Sequence, residues 1–384
     1  MWRPVLIVLQ PTPFCNISCD YCYLRGRDNR SVMSAEVLCA IRDKVFPRIS
    51  PDAAPAIIWH AGEPTVVPVS WYRQAYSVLR QTAPRDASFT VQSNGIALGR
   101  DWIPFLRETG TQIGLSIDGP QAFHDSRRKT KNGKGTWSLV IQTLHELHAA
   151  RISPKVVTVL HPLSLHAIDE YFEFYRDNGI THVSFSIDEA EGCHASSSFN
   201  GRDQGQGVAE FLFGLLKRAY AEKYPLHIKE VERIASILAG GELHNEQIDA
   251  WQVLVVAANG DVTTFSPEFM EVRSSAHRNF NFGNILTDDF DRIFASALVA
   301  RTHAEIRKGV DLCQARCRYF AVCGGGAPSN KMQENGSLES AETEFCRLSV
   351  QPAAEAFRKF VHWARQRSED HFISNPRVFA EQHA

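Results

Sequence analysis

Short apolar runs alternate with amphipathic stretches along the first half of the chain. Val5 to Leu9, Ala56 to His60, Ser88 to Gln92, Gln112 to Ile117, Lys155 to Leu160 and His182 to Ile187 predict six strands. Helical spacing fills the gaps: about Ala35 to Phe46 behind the N-cap Ser34, Ser70 to Gln81, from near Asp101, Thr136 to Ala149, and Ser164 to Asn178. Such alternation implies an α/β fold, a parallel sheet with helices outside it. Six units fit a partial (β/α)6 barrel better than the eight of a closed TIM barrel. Chemistry in these sheets collects at the C-terminal strand ends.

The pattern changes after about Ser196. Ser196 to Gly207 is a polar Gly/Ser-rich loop, mobile or ordered by substrate. Helices follow over about Val208 to Tyr224 and Ile228 to Ala239, then a hairpin over Ala250 to Phe265 turning at Asn259-Gly-Asp261. A last helix runs from about Pro352 to Arg367, with a tail beyond it. The division expected is 1–195, a barrel; 196–249, a helical linker; 250–351, a C-terminal module; and 352–384, helix and tail. No separate winged-helix domain is evident, so recognition of a leader peptide falls to this fold or to another chain.

Composition narrows the classes. A net charge of −2 gives no electrostatic case for nucleic acid or an acidic membrane. No apolar run approaches the ~20 residues of a membrane span, and the first ten residues lack a signal-peptide layout. Nine cysteines, clustered and odd in number, fit metal ligation in a reducing cytoplasm better than a disulfide framework. Cys39 and Cys193 fall outside the clusters and read as a core thiol and a free loop thiol.

Cys15, Cys19 and Cys22 form Cys-x3-Cys-x2-Cys in the loop after the first strand. Four thiolates close a [4Fe–4S] site, whereas three leave one iron open to a small molecule. A zinc knuckle would want a fourth ligand and other spacings, and no His lies nearby. The triplet resembles that of the radical S-adenosylmethionine (SAM) enzymes, in which the open iron chelates SAM and an electron cleaves it to a 5′-deoxyadenosyl radical. Tyr21 and Tyr23, flanking Cys22, fit the same pattern. The resemblance implies a flavodoxin or ferredoxin as electron donor.

Three strand ends extend the resemblance. Trp59 to Pro64 is similar to the Gly-Gly-Glu-Pro motif with Ala61 for the first Gly, which places Gly62, Glu63 and Pro64 at the SAM amino group. Gln92-Ser-Asn-Gly95 resembles the strand end that meets the SAM ribose, through Ser93 and Asn94. Leu115 to Pro120 resembles the Ser-x-Asp-Gly segment of the peptide-modifying branch, bringing in Ser116 and Asp118. Arg127, or its neighbour Arg128, would face the SAM carboxylate, although a solvated loop charge is an equal reading.

Cys313, Cys317, Cys323 and Cys346 are a second set, with Gly324-Gly-Gly326 letting backbone pack close. Structural zinc is the sober alternative. The region resembles a SPASM domain that has lost the ligands of its first auxiliary cluster: Thr264 to Glu268 and Gly283 to Asp288 carry no Cys, and Ala327 stands for another. The surviving four match the second cluster, so the resemblance implies two [4Fe–4S] clusters in all. Thr264 to Glu268, Asn281 to Ile285, Tyr319 to Lys331 and Glu334 to Gly336 are similar to the cyclophane-forming (GrrM/OscB-like) peptide maturases.

That group implies a carbon–carbon bond between an aromatic side chain and the Cβ of a nearby residue in a ribosomal precursor peptide. Glu268, Asp118 and Asp261 are candidate bases for the ring proton, and Glu268 occupies the place of the absent cluster. A sulfatase-type formylglycine maturase, a thioether-forming maturase and a zinc-stabilised binding protein stay open.

Overall fold

The computed structural model describes residues 2–199 and 204–367. The expected tail after Arg367, and residues 200–203 of the polar loop, lie outside the described residues.

The six apolar runs are strands, at nearly the expected bounds: β1 Leu6–Leu9, β3 Ala56–Trp59, β4 Ser88–Ser93, β5 Gln112–Ser116, β7 Lys155–Leu160 and β8 His182–Ile187. They pair in parallel in the order β1-β3-β4-β5-β7-β8. Helices α2 Val69–Leu79, α3 Trp102–Thr109, α5 Trp137–Ala149 and α6 Ile168–Asp177 connect them, as does α1 Ala35–Ala40. Trp59 shows how the layers lock: fully buried, it meets Tyr72 of α2 edge-on at 5.4 Å, and Tyr72 in turn meets Trp102 of α3 at 4.8 Å. Burying each such ring stabilises the layer by roughly 2–3 kcal/mol.

Four departures are informative. The helix expected over 35–46 keeps α-geometry only to Ala40, then widens over Ile41–Val45 and tightens over Phe46–Arg48, where Pro47 cannot donate. The stretch from Pro162 to His166 is a 3-10 turn before α6. Two three-residue strands, β2 Ile17–Cys19 and β6 Arg128–Thr130, form a separate antiparallel clip. Finally, the hairpin β10 Val253–Val256 and β11 Asp261–Thr264 joins the barrel sheet, β10 lying parallel to β1 from Leu6↔Val253 to Leu9↔Val256.

With β9 His227–Ile228 beside β8 and β12 Gly283–Asn284 beside β11, one ten-stranded, mostly parallel sheet results among the described residues. It runs across the boundary expected at residue 250. Helices α7 Gly205–Glu222 and α8 Lys229–Leu238 follow the barrel strands. α4 Gln121–Arg127 and the C-terminal helices α9 Phe290–Phe294, α10 Ala297–Arg316, α11 Phe320–Cys323, α12 Pro328–Asn335 and α13 Gln351–Arg365 complete the chain. α13 returns onto α7, Trp363 meeting Tyr220 edge-on at 5.4 Å. No helix among the described residues is long and apolar enough to cross a membrane.

Candidate active site

The cysteine loop leaves the C-terminal end of β1 and is pinned from three sides. Cys15 N–H donates to Arg27 O at 3.0 Å. Cys19 lies in the β2–β6 clip directly opposite Arg128, whose Nη1 approaches the Cys19 sulfur at 3.8 Å. Asn94 Nδ2 reaches Cys15 Sγ at 3.9 Å and Asn16 Oδ1 at 2.8 Å. Burial pushes the thiols up, Cys15 to about 11, Cys19 to about 12 and Cys22 in the same direction. A bound cation would be needed to draw off those protons.

The Gly-Glu-Pro turn packs directly on this loop. Ala61 and Gly62 both have positive φ, 73° and 55°. A Cβ on Gly62 would stand 2.5 Å from the carbonyl oxygens of Thr12 and Phe14, so only glycine fits. Glu63 N–H donates to Phe14 O at 2.7 Å. Its carboxylate, which the sequence places at a ligand, is buried and taken up by the protein. It accepts from Thr65 N (2.9 Å), Thr65 Oγ1 (2.5 Å), Ser93 Oγ (2.8 Å) and Asn94 N (2.7 Å). Glu63 therefore ties the end of β4 to the turn, as Pro64 ties it to α2 by accepting from Tyr72 OH at 2.9 Å. The carbonyls of Ala61 and Gly62 accept no hydrogen bond among the described residues. Ser93 is consumed likewise, accepting from Gly95 N at 2.9 Å. Ser116 Oγ accepts from Gln92 Nε2 at 3.0 Å.

Two strand ends carry the same tripeptide, Ser116-Ile-Asp118 and Ser186-Ile-Asp188. Each aspartate claims one of the two consecutive arginines. Asp118 accepts from Arg128 Nε at 3.0 Å, Tyr21 OH at 2.5 Å and Val159 N at 3.1 Å. Asp188 accepts from Arg127 Nη2 at 2.7 Å and His194 Nε2 at 2.9 Å, while Arg127 Nε reaches Asp20 at 2.9 Å. Both guanidinium groups lie over the Tyr21 ring, at 4.6 Å for Arg127 and 5.5 Å for Arg128. Arg127 Nη1 is buried with no partner among the described residues. Arg127 lines a cavity of about 640 Å³ together with Asp20, Asp118, His161, Asp188 and His194. His124 accepts from Asp118 N and is held neutral, burial pushing it down to about 4. Asp188 and His194 were missed in the sequence, and the repeated Ser-Ile-Asp was the signal for Asp188.

The Arg127–Asp188 pair is closed to solvent, side chains 9% and 1% exposed. Asp188→Asn is expected to lower stability by about 3 kcal/mol, since it leaves a buried charge half-paired. Burial works against the Asp188 carboxylate, yet Ser198, Arg127 and His194 outweigh it and hold its pKa below the usual range. Its contribution is therefore present above the ordinary carboxylate pKa and lost as pH falls through the depressed one. The gap in Tm between the two proteins should narrow in acid; a constant gap would deny the ion pair this role.

Glu268 stands after β11, where Phe265 turns with φ of 74°. Ser266 Oγ donates to its carboxylate. Glu189 and Glu191, just beyond β8, and Glu334 of α12 are its acidic neighbours. Burial first, and then these neighbours, push Glu189 up to about 8 and Glu191 well up, and burial raises Glu268. Tyr23, next to Cys22, lies in the same environment and is pushed up by burial and then by Glu268 and Glu191. Asn330 donates to Glu189, and Gln333 Nε2 to Glu191 at 3.2 Å, so α12 closes this space. Nothing in the sequence singles out Glu189 or Glu191 as members of a site. Asp261 faces elsewhere, accepting from Asn284 Nδ2 at 2.9 Å in the hairpin turn.

The second cysteine set converges. Cys313 from α10, Cys317 at its C-cap, Cys323 ending α11 and Cys346 all line one cavity of about 430 Å³. Gly324, Gly325 and Gly326 wrap it with φ of 74°, 114° and 75°, and a Cβ on Gly325 would strike Val310 at 2.8 Å. Thr343 Oγ1 donates to Cys346 Sγ at 3.1 Å, and backbone N–H groups of Gly325 and Gly326 favour the Cys323 thiolate. No group of three or more His, Cys, Asp or Glu among the described residues is arranged around a single metal ion. Four thiols around a space of this size suit a multi-atom cluster as donor set.

Residues 9–175 match the sequence profile of the Radical SAM superfamily. The chain belongs to that superfamily, whose members hold a [4Fe–4S] cluster and SAM. It is 32% identical over 360 residues to the uncharacterized protein sll1766 of Synechocystis sp., covering 91% of this chain and 90% of the relative. It is 22% identical to the cysteine-type anaerobic sulfatase-maturating enzyme of Clostridium novyi over 90% of this chain and 91% of that enzyme. It is also 28% identical to the serine-type enzyme of Bacteroides thetaiotaomicron over 52% of each. Among solved structures, anSMEcpe with bound AdoMet and Cp18Cys peptide superposes with a TM-score of 0.74 at 18% identity, over 95% of this chain and 100% of that one. Streptococcus suis SuiB bound to its precursor peptide SuiA gives 0.65 at 15% identity, over 90% and 76%.

Proposed function

We propose that the protein is a peptide maturase that joins an aromatic side chain to the Cβ of a nearby residue in a ribosomal precursor. The observation that carries this is the position of Glu268: a buried carboxylate held by Ser266 and close enough to Tyr23, the neighbour of the third cysteine, to push its hydroxyl up, in a chain with no Cys at the hairpin. Peptides bound to anSMEcpe and SuiB support a peptide substrate.

The triplet Cys15, Cys19 and Cys22 would hold the SAM-binding cluster, and Cys313, Cys317, Cys323 and Cys346 an auxiliary one. Together with SAM, the first supplies hydrogen-atom abstraction from an unactivated carbon. The chain's own residues do the rest. The free carbonyls of Ala61 and Gly62 would take the SAM amino group, and the unpartnered Nη1 of Arg127 its carboxylate. Asp118, Arg128 and the clip hold Cys19 and Tyr21 in register, and Glu63 holds the turn. Glu268, oriented by Ser266, accepts the ring proton as aromaticity returns. Asp118, with three donors on its carboxylate, is engaged in that scaffold.

The balance is one C–C bond formed and two C–H bonds broken. The hydrogen atom leaves to the deoxyadenosyl group, the proton to Glu268, and the electron would be taken by the auxiliary cluster that the second cysteine set would hold. The product is expected about 2 Da lighter with no oxygen gained, with one deoxyadenosine formed per crosslink. Deuterium placed on the target Cβ should be found in the deoxyadenosine. The named relatives favour a second reading, oxidation of a Ser or Cys to formylglycine. An aldehyde-reactive product, with no crosslink on tandem fragmentation, would replace the first reading by the second. A thioether on fragmentation would point to the third.

A further inference from the structure

We infer that Lys331 is a buried counter-charge of the four-cysteine site and raises the reduction potential of the cluster held there; the inference rests on the auxiliary-cluster reading above. Lys331 lies on α12, five residues after the glycine wrap, and is only 2% exposed. Among the described residues its ammonium makes no ion pair or hydrogen bond, and a cation on so little exposed a residue is costly to leave without a counter-charge.

Its surroundings show what would compensate. Lys331 Cε and Cys346 Sγ lie 3.7 and 3.6 Å from the point that a Cβ on Gly326 would occupy, so the side chain passes behind Gly326, which lines the cysteine cavity. The cations on the lining itself, Arg316 and Arg318, are exposed to solvent. Its Nζ and the carbonyl oxygens of Leu338 and Ser340 crowd the equivalent point on Gly309, at 3.1, 2.2 and 3.0 Å. Both glycines leave room for this side chain. The nearby carboxylates are spoken for: Glu334 by the amides of Glu344 and Phe345, Glu339 by Lys308 at 2.8 Å, and Glu342 by Gln351 at 2.6 Å and Arg347 at 3.3 Å. A four-thiolate iron–sulfur cluster is a net anion, and one added electron makes it more so. A fixed cation beside it favours the reduced form.

The test uses the full chain carrying Cys15, Cys19 and Cys22→Ala, so that one site remains, with iron counted and the potential titrated by EPR. Against this parent, Lys331→Met should keep about four iron and shift the one-electron equilibrium at least tenfold toward the oxidised form, about 59 mV lower. Lys331→Arg should stay at the parent value. Full iron with an unmoved potential in Lys331→Met overturns the inference alone. If Lys331→Met holds no iron, Lys331→Arg decides: iron at the parent potential supports the charge, and loss of iron there too makes the residue a packing element and overturns it. A parent without iron removes the auxiliary-cluster reading, and this inference with it.

Discussion

SAM cleavage should vanish when Cys15, Cys19 and Cys22 are replaced together by Ala, while about four iron atoms per chain remain. The two cysteine sets are built on different supports. The triplet hangs on β1, the β2–β6 clip and Asn94, and the other set on α10, α11 and the glycine wrap. Neither set shares a ligand with the other, so emptying one leaves the other's walls in place. Deoxyadenosine production under dithionite measures the first site and iron analysis the second. Residual cleavage would give the open iron to other residues. Near-zero iron with zinc bound would make the second site structural.

Glu268→Gln is the second large effect expected. A positioned base contributes on the order of 10²–10⁴ in rate, and the amide cannot accept the ring proton, so crosslink formation should fall by that order. Deoxyadenosine should still form, because among the described residues the Glu268 carboxylate is hydrogen-bonded by Ser266 and not by the residues that pin the cysteine loop. Burial raises the Glu268 pKa, and a base works only when deprotonated. Crosslinking by the unaltered protein should therefore rise with pH through a range above that of an ordinary carboxylate. Unchanged crosslinking in Glu268→Gln would clear this residue and turn attention to Glu189 or Glu191, which share its buried space.

The strands were legible because each is an apolar run bounded by turns, and burial is what such runs encode. The convergence of the second cysteine set was suggested by its spacing together with its resemblance to a SPASM domain. The clip was not legible, since Ile17–Cys19 and Arg128–Thr130 are three residues each and make sense only as partners. Nor was the pairing of β10 with β1: the hairpin satisfies its own alternation, and nothing local tells an apolar strand which distant edge it will join. Glu63 illustrates the limit on roles. The motif was visible, but four donors around one carboxylate are a property of the fold. Glu189, Glu191 and Lys331 were hidden for a related reason, because charged residues read as solvated until the structure shows what covers them.

The ladder between β1 and β10 bears on how such a chain can change over evolutionary time. The C-terminal half is not a passenger that can be cut away or exchanged at residue 250. Removing it would strip a strand from the barrel and lay open the apolar edge of β1, an invitation to edge-to-edge aggregation. Chimeras between relatives should therefore be joined beyond Phe265, or carry β1 and β10 from the same parent.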